Sequence, residues 1–514
     1  MGSMHPSLSP LLLLLAPTAL LIVAAAPFGN PGQRARWTSR AVMLGVVTGA
    51  LGALSIVANG PMSSPVLGGP WLGLSTRLDV LSVTMSLLVA FVGAVVVRFS
   101  ASYLDGDPGQ GRFMRWLGCT LASVLLLVSS GHLALLALTW TATSLCLHRL
   151  LVFYDERPRA RLAARKKFLI SRLGDLCLCA ALALCGVTTG TLEVEALSGI
   201  ARSYAVSGGH VPMGLQAAGL LLVCAALLKS AQFPFHGWLT EVMETPTPVS
   251  ALLHAGVINA GGFLVLRTSD IVVLSAPALA ALTIVGGFTA VFASLVMRTQ
   301  PSVKVALAWS TAAQMGFMML QCGLGVFSAA LVHIVAHSLY KAHAFLSAGS
   351  AVAAKQSAEL PERPSFALVL TSGLTMASMA VAVALAAGLS ARAHPGEMAL
   401  VVILALGLSQ SAAQRLGAGL PVARVVGETL ILTCVYGFVQ LAAFWLLAPT
   451  TRHPDSFDAV LAALAVATFA ANTLVTAKPP APGRLRAILE RGQVHLANGL
   501  YINGYTNRLL RNHA

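Results

Sequence analysis

The chain has 514 residues, of which 56% are hydrophobic and only 10% are charged, and its formal net charge is +15. This composition, with a mean hydropathy of +0.79, excludes a soluble globular protein of this size and predicts a polytopic membrane protein. The positive charge does not indicate nucleic-acid binding, because the basic residues are not gathered in one soluble patch.

Apolar segments of membrane-spanning length recur along the chain, each near the roughly 20 residues that cross a bilayer, and predict an all-α fold of about 13–15 transmembrane helices. The segments cover residues 8–28, 41–60, 78–99, 116–130, 132–153, 168–188, 213–230, 247–268, 271–297, 302–322, 326–348, 366–389, 398–414, 427–448 and 457–475. The first is interpreted as a retained helix, because it lacks a convincing small-residue cleavage site. Residues 1–477 are therefore assigned to one transmembrane domain.

Basic residues fall in alternate connections between these segments. They are Arg34, Arg36, Arg40, Arg112, Arg115, Arg157 to Lys167, Arg298, Lys304, Lys355, Arg363, Arg415, Arg424, Lys478, Arg484, Arg486 and Arg491. The positive-inside rule then predicts an outside N-terminus and a cytoplasmic C-terminus. Residues 478–514 mix Arg with Leu, Ile and Tyr at helical spacing, which predicts an amphipathic tail on the membrane surface or a docking site for a cytoplasmic partner.

The eight cysteines all lie within apolar segments, without Cys-x-x-Cys or Cys/His metal spacing. Their arrangement indicates a packing role, so neither a disulfide nor a metal site is predicted in this chain.

The stretch from Lys229 to Leu266 places ionisable residues and prolines between two apolar segments. Prolines exclude one continuous helix here, and a lysine at membrane depth is costly unless it is paired, hydrated or neutralised. A broken helix beside a buried lysine therefore indicates an ion path. The candidate residues are Lys229, His254, Glu241 and Glu244, with Pro234, Pro246 and Pro248 at the break, and Asp175 in an earlier segment. The alternative is a lysine that extends from a helix end to the membrane surface.

A second cluster consists of His333, His337 and Lys341, which are spaced i, i+4, i+8. One helical face then carries three groups able to exchange protons near neutral pH, and Lys304 opens the preceding apolar segment. The row predicts a proton relay. One alternative is that His333 and His337 only form structural hydrogen bonds with neighbouring helices. Another is that the two histidines share a zinc ion, although no third ligand is nearby.

Three motifs carry a family resemblance: K-S-A-Q-F-P-F-H-G-W-L with M-E-T-P-T-P-V-S-A-L-L-H-A-G, V-K-V-A-L-A-W-S-T-A-A-Q-M-G-F, and L-V-H-I-V-A-H-S-L-Y-K-A-H-A-F-L-S-A-G-S. They resemble the antiporter-like membrane subunits of NADH:quinone oxidoreductase and of multisubunit cation/proton antiporters. The resemblance implies two inverted five-helix repeats, here residues 114–268 and 271–414, each with a broken helix. Lys229 then matches the central lysine of the first break and His254 the histidine of the next helix, while Lys304, His333, His337 and Lys341 match the connecting relay.

Two departures from the family pattern concern its charged residues. L-T-W-T-A-T-S-L-C-L-H aligns without a gap with the family's W-E-G-V-G-L-C, so Thr141 stands where the family has a buried glutamate that pairs with the lysine. Asp175 is then the remaining counter-charge expected for Lys229. Segment 366–389 has no ionisable residue where the family places another lysine, so the exit half of the path is expected to be altered.

The motifs H-G-W-L and L-L-H-A-G-V-I-N-A-G-G-F-L are more similar to one branch, the membrane subunit of the two-component DAB-type inorganic carbon transporter of bacteria. This resemblance implies a protein of the bacterial inner membrane whose partner is a large cytoplasmic subunit similar to a zinc β-carbonic anhydrase. Flow of protons or sodium ions would drive hydration of CO2 to bicarbonate, with zinc and catalysis in the partner and no cofactor in this chain. The alternatives are a proton-pumping respiratory subunit, a cation/proton antiporter subunit, and a scaffold that has lost conduction.

Overall fold

The structure is a computed structural model that describes residues 8–349, 394–446, 456–476 and 484–511, together with positions 376, 378 and 381. The basic residues Lys355, Arg363 and Lys478 lie outside the described residues, as does all of the predicted segment 366–389 except those three positions.

Helices make up nearly all of the described chain. After a 3-10 turn at Ser9–Leu14, the first are α1 Leu15–Ala25, α2 Pro31–Asn59, α3 Val80–Tyr103, α4 Gln110–Ser129, α5 Leu133–Leu151, α6 Pro158–Thr189, α7 Val194–Ser207, α8 Met213–Lys229, α9 Gly237–Glu241, α10 Thr247–Ala255, α11 Ala260–Arg267 and α12 Ser269–Val272. They are followed by α13 Ala276–Met297, α14 Val303–Gly323, α15 Phe327–Leu346, α16 Pro395–Gly417, α17 Val422–Leu446, α18 Ser456–Thr476, α19 Arg484–Ala497 and α20 Ile502–Arg511. Between α2 and α3, strand β1 (Met62–Ser63) pairs antiparallel with β4 (Arg77–Leu78), and β2 (Leu67–Gly68) with β3 (Gly73–Leu74).

Ten of the described helices are long and apolar enough to cross a bilayer, with α10 and α11 counted as one. Two shorter apolar helices, Ser9–Ala25 and Met213–Lys229, accompany them. Helices α14 and α15 have 21 and 20 residues. The prediction of an all-α multi-pass membrane protein is confirmed.

Helices α2 and α6 begin well before the apolar segments predicted at 41–60 and 168–188. Helix α2 starts at Pro31 and α6 at Pro158, each with proline in its first turn, where the missing N–H costs nothing. The basic residues that we expected in connecting loops, Arg34 to Arg40 and Arg159 to Lys167, therefore lie on helices. At 32 residues, α6 is longer than the roughly 20 that cross the hydrocarbon, so its first turns extend beyond the apolar segment.

The described chain divides into two compact units. The first contains the described residues up to Ala278 together with His333–Ala348, and the second contains Leu279–Val332 and the described residues from Gly349 onward. This division does not test the predicted repeats at 114–268 and 271–414 or the domain boundary at 477, which stay predictions.

In the first unit, one end of the helices is held by an ion-pair cluster. Arg267, at the end of α11, binds Asp79, which caps α3 through the Ser82 N–H. Asp79 also accepts from Arg77, which in turn pairs with Glu195 at the start of α7. Burial of Asp79 raises its pKa, but the charges of Arg267 and Arg77 and the bonds from Arg267 and Ser82 outweigh this and hold the pKa well below its usual range.

A different set of contacts joins the opposite helix ends of the same unit. The Arg112 guanidinium donates to the Phe153 carbonyl, and Lys166 pairs with Glu241. The order of crossings predicted from the charge pattern places Arg112, Phe153, Lys166 and Glu241 on one side of the membrane. It places Arg267 and the residues of its ion pairs on the other side. The contacts agree with that order of crossings, while the side that faces the cytoplasm stays a prediction.

The second unit is built around α14, α16 and α18. Leu320, Ile403 and Ala465 form one buried apolar cluster. Gly316 of α14 faces Gly286 of α13 so closely that a Cβ on either glycine would collide with the other helix's backbone. Small residues at such a contact allow two membrane helices to approach closely.

Candidate functional site

The predicted helix break is present between Lys229 and Thr247. Helix α8 ends at Lys229, the chain turns through Ala231 at φ 52° and a cis peptide bond before Pro234, and α10 begins directly after Pro246 with Pro248 in its first turn. The short helix α9 and a 3-10 turn at Val242–Glu244 lie between. The prolines therefore stand where helix hydrogen bonding stops or starts, as their chemistry requires.

A second interruption, which the sequence analysis missed, divides the following span at Gly256. This residue has φ −122° and ψ −78°, and a 3-10 turn at Val257–Asn259 separates α10 from α11. The Asn259 amide donates to the Ala255 carbonyl at 3.1 Å and to the Ser338 hydroxyl of α15 at 2.8 Å. Side-chain donors of this kind satisfy polar groups that a broken helix leaves within a membrane.

Lys229 lies at the end of α8 in a largely desolvated position, with 6% of its surface exposed. Its ammonium donates to the Trp140 carbonyl of α5 at 3.4 Å and lies 4.4 Å from the centre of the Trp140 ring. That carbonyl belongs to the peptide group joining Trp140 to Thr141, the position where the family resemblance expects a glutamate. In the described part of the chain, Lys229 therefore has a carbonyl and an aromatic ring, and no ion pair with a carboxylate.

Asp175, the expected counter-charge of Lys229, has a nearer partner. Its carboxylate forms an ion pair with Arg172 at 2.9 Å, three residues earlier on α6. The charge of Asp175 still acts on Lys229 electrostatically, as does the opposing charge of Arg172. Asp175 and Arg172 of α6 thus both contribute to the electrostatic potential at Lys229.

Glu241 and Glu244, the other expected modulators of Lys229, form their ion pairs with the start of α6. Glu241 binds the buried Lys166 ammonium at 2.6 Å. The Glu244 carboxylate lies 3.8 Å from Arg159, and its backbone carbonyl accepts from Arg157 at 2.9 Å. These contacts attach the segment between the two helix halves to α6.

Lys167 is a buried cation that the sequence analysis assigned to a basic loop. It lies in α6, where its ammonium donates to the carbonyl of Ser144 at 2.6 Å and to the hydroxyl of the same residue at 2.7 Å. A sequence signal existed: Ala160, Ala163 and Ala164 precede Lys167 at helical spacing and are buried with it. The charge of Lys229 acts on Lys167 electrostatically.

The histidine row of α15 faces the first half of the broken span. The rings of His333 and His337 stack with centroids 6.0 Å apart, and the His337 Nε2 donates to the His254 carbonyl at 3.2 Å. The His254 ring stacks on Phe345 with centroids 4.3 Å apart. Lys341 is fully buried on the same helix, and its charge acts on both His254 and His337. The structure thus brings together four of the residues singled out from the sequence.

Lys304 lies in the first turn of α14, in the second unit, and is half-buried. Its membership of the relay stays a prediction. Within the described residues, no group of three or more His, Cys, Asp or Glu side chains is placed to hold a metal ion.

Comparisons with known proteins agree with this architecture. The family model described as NADH:quinone oxidoreductase/Mrp antiporter, TM, matches residues 130–416, and the model of the N-terminus of complex I chain 5 matches residues 67–114. The chain is 42% identical to the probable inorganic carbon transporter subunit DabB2 of Halothiobacillus neapolitanus, over 97% of this chain and 93% of that protein. It is 34% identical to NADH-quinone oxidoreductase subunit L of Escherichia coli, over 63% of this chain and 55% of that protein.

Among solved structures, the Mrp complex from a Dietzia species matches with a TM-score of 0.59 and 24% identity, over 99% of this chain and 57% of the matched chain. At this identity the likeness concerns the fold. The chain therefore belongs to the antiporter-like membrane subunits of the NADH:quinone oxidoreductase/Mrp family, and within them to the inorganic carbon transporter subunits of the DabB type.

Proposed function

We propose that this chain is the ion-conducting membrane subunit of an inorganic carbon transporter. Protons or sodium ions pass along Lys229, His254 and the row on α15, with Lys304 continuing the path. Their entry energises the hydration of CO2 to bicarbonate by a large cytoplasmic partner similar to a carbonic anhydrase. The partner holds the zinc and performs the catalysis, while this chain supplies the ion path.

The observation that carries this proposal is the environment of Lys229. A buried ammonium lies at the end of a broken membrane helix and is bound by a carbonyl and a ring. A buried cation without a carboxylate partner is costly, and ionisable groups in membrane segments mark ion pathways. Interrupted helices are also where transporters build their ion sites. The lysine is thus placed to gain and lose a proton during transport.

The contacts around His254 support continuation of the path. His254, His337 and Lys341 lie in one buried cluster that joins α10 to α15. Asp175 and Arg172 modulate the field at Lys229, and Glu241 and Glu244 hold the segment between the helix halves against α6. Pro234, Pro246 and Pro248 keep α8 and α10 from forming one continuous helix.

The energy available from ion entry is sufficient for such coupling. Moving one elementary charge across the membrane releases about 2.3 kcal/mol per 100 mV. This amount biases a reaction that lies near equilibrium, provided that a conformational change or a delivered proton transmits it to the partner. The proposed orientation has the N-terminus outside in a bacterial inner membrane. It places the C-terminal ends of α5 and α8, and the break that follows α8, towards that partner.

Growth of a host without carbonic anhydrase tests the proposal. The chain and its partner should restore growth at ambient CO2, and Lys229→Ala should abolish the rescue because the central proton carrier is lost. Arg161→Ala, an exposed residue of α6, is the matched control and should rescue normally. Normal rescue by Lys229→Ala at equal expression would exclude the lysine from the path.

Co-purification tests the partner. The tagged chain should retain a zinc-bearing subunit with carbonic-anhydrase-like sequence. Retention of several hydrophobic subunits in its place would favour the second candidate, a proton-pumping subunit of NADH:quinone oxidoreductase or a subunit of a cation/proton antiporter, which the family match to residues 130–416 also allows.

The driving ion is tested by carbon uptake in cells. Uptake should collapse with a protonophore if protons drive it and with removal of sodium if sodium does. Uptake that withstands both treatments would refute ion coupling and favour a scaffold that has lost conduction.

A further inference from the structure

Helix α5 carries three polar positions on one face that lead from the membrane interior towards the helix end. Trp140, Ser144 and His148 are spaced i, i+4, i+8, so they lie above one another on the helix surface. Each step advances about 6 Å along the axis, and His148 lies three residues before the end of α5 at Leu151.

Trp140 and Ser144 each accept a hydrogen bond from a buried lysine of another helix. The Trp140 carbonyl accepts from Lys229 of α8, and the Ser144 carbonyl and hydroxyl accept from Lys167 of α6. The two ammonium groups thus bind carbonyls one turn apart on the same helix. Within the described residues, Lys167 and Lys229 form no ion pair with a carboxylate, and the charge of Lys229 acts on Lys167.

The third position is a histidine, His148, on which the charge of Lys167 acts. The His148 ring contacts the ring of Phe168, the residue that follows Lys167, with centroids 5.5 Å apart and the planes tilted by 55°. His148 is only partly buried. Imidazole exchanges protons near neutral pH, so this position is suited to connect a buried lysine with water.

We propose that Lys167 and His148 form a branch of the ion path that connects Lys229 with the aqueous end of α5. In each step one N–H bond breaks on the donor and one forms on the acceptor. A proton leaves the Lys229 ammonium for the neutral Lys167 amine, directly or through one water, and then leaves Lys167 for the imidazole of His148. Entry of ions in the opposite direction reverses the same steps.

The branch rests on the proposed function and explains the missing carboxylate at Thr141. A carboxylate beside Lys229 would stabilise its ammonium and hold the proton there. A second lysine does the opposite, because two neighbouring ammonium groups disfavour each other and a proton arriving at one promotes release from the other. The charged and titratable groups around Lys167 are Cys146 and His148 on α5, Arg172 and Asp175 on α6, and Lys229 on α8.

Proton flux in proteoliposomes tests the branch. The chain, purified with its partner and reconstituted, is driven by a potassium diffusion potential while an internal dye reports pH. Lys167→Met removes the carrier, and Lys167→Arg keeps the charge and the donors but does not release a proton. Both should lower the flux about tenfold or more, which is within the usual contribution of a positioned proton carrier. Arg161→Met on the exposed face of α6 should leave the flux unchanged.

Two further variants separate a relay from a structural role. Lys167→His should restore part of the flux, with the pH profile moved to lower pH, because imidazole titrates below an amine. Ser144→Ala removes one of the two acceptors and should have a small effect. If Lys167→Met does not reach the membrane, His148→Gln tests the other proton carrier of the branch and should also lower the flux.

The outcomes distinguish this inference from the proposed function. Wild-type flux in Lys167→Arg or in His148→Gln, with loss of flux in Lys229→Ala, would overturn the branch alone. Wild-type flux in Lys229→Ala would overturn the proposed path as a whole. If the pH dependence of the flux in Lys167→His equals that of the wild type, Lys167 has a role in helix packing and does not carry protons.

Discussion

Two buried cations in the first unit, Arg267 and Lys229, differ in what surrounds them. The Arg267 guanidinium binds both oxygens of Asp79, at 2.5 and 3.3 Å, and donates to the Ser82 hydroxyl at 2.6 Å. The Lys229 ammonium has a carbonyl at 3.4 Å and an aromatic face. One charge is neutralised by a bidentate ion pair, whereas the other is only solvated by dipoles.

Under the function that we propose, this difference separates the buried charges that hold the fold from those that carry ions. A guanidinium in a bidentate ion pair is held in a fixed geometry, so Arg267 suits a permanent link between α3 and α11. An amine in a dipolar site is able to change protonation state at moderate cost, so Lys229 and Lys167 suit an ion path.

The largest expected effect is the loss of the Arg267 partner. Asp79→Ala leaves a buried guanidinium without its carboxylate and should destabilise the protein by about 3–5 kcal/mol. Thermal unfolding of the detergent-purified protein measures this, with Asp105→Ala, an exposed carboxylate, as the control. A melting temperature equal to wild type would show that the pair is not structural.

The same pair predicts a pH dependence. Because the folded-state pKa of Asp79 is depressed, its contribution is complete above the unfolded-state pKa of about 3.9 and is lost as the pH falls towards the folded-state pKa. The loss of stability between pH 5 and pH 3 should therefore be smaller in Asp79→Ala than in the wild type. Identical pH dependence in the two proteins would contradict the assignment.

The next effect concerns the attachment of the helix break to α6. Glu241→Gln leaves the Lys166 ammonium without its ion pair and should destabilise the protein by about 2 kcal/mol, less than Asp79→Ala because Glu241 is partly exposed. Glu244→Gln is the matched control, since its 3.8 Å contact involves the well-exposed Arg159. Equal effects of the two substitutions would count against a special role for the Lys166 pair.

Thr141→Glu introduces a carboxylate near Lys229, as Asp79 provides one for Arg267. A carboxylate next to the Trp140 carbonyl should hold the proton on Lys229 and lower proton flux about tenfold, which corresponds to one pKa unit. Thr141→Gln, of similar size and without charge, is the control and should have the smaller effect. Wild-type flux in Thr141→Glu, together with a correctly folded protein, would refute the importance of the unpaired ammonium.

The smallest expected effect is at the second interruption. Ser338→Ala removes one of the two acceptors of the Asn259 amide and should cost about 1 kcal/mol. Ser203→Ala removes an exposed hydroxyl that donates to the Ile200 carbonyl of the same helix, α7, and should change the melting temperature less. Indistinguishable melting curves for the two variants would show that the contact between α15 and the interruption is not stabilising.

The sequence predicted those parts of the site that depend on local chemistry. The prolines around Pro234 predicted the break, and the spacing of His333, His337 and Lys341 predicted a common face, because both follow from backbone geometry. The sequence analysis assigned Asp175 to Lys229 and did not consider Arg172, which lies three residues earlier on the same helix and forms the ion pair. The interruption at Gly256 also had no proline to mark it.

Composition and periodicity thus determined by themselves that this protein crosses the membrane many times and that one span is broken beside a lysine. The tertiary structure decided which charges are paired. Hydropathy measures the cost of removing a side chain from water. Whether a carboxylate or a carbonyl offsets this cost, or another lysine adds to it, depends on neighbouring helices. Lys167 shows this best, because its sequence context indicates a basic loop and only its contact with Ser144 places it in the ion path that we propose.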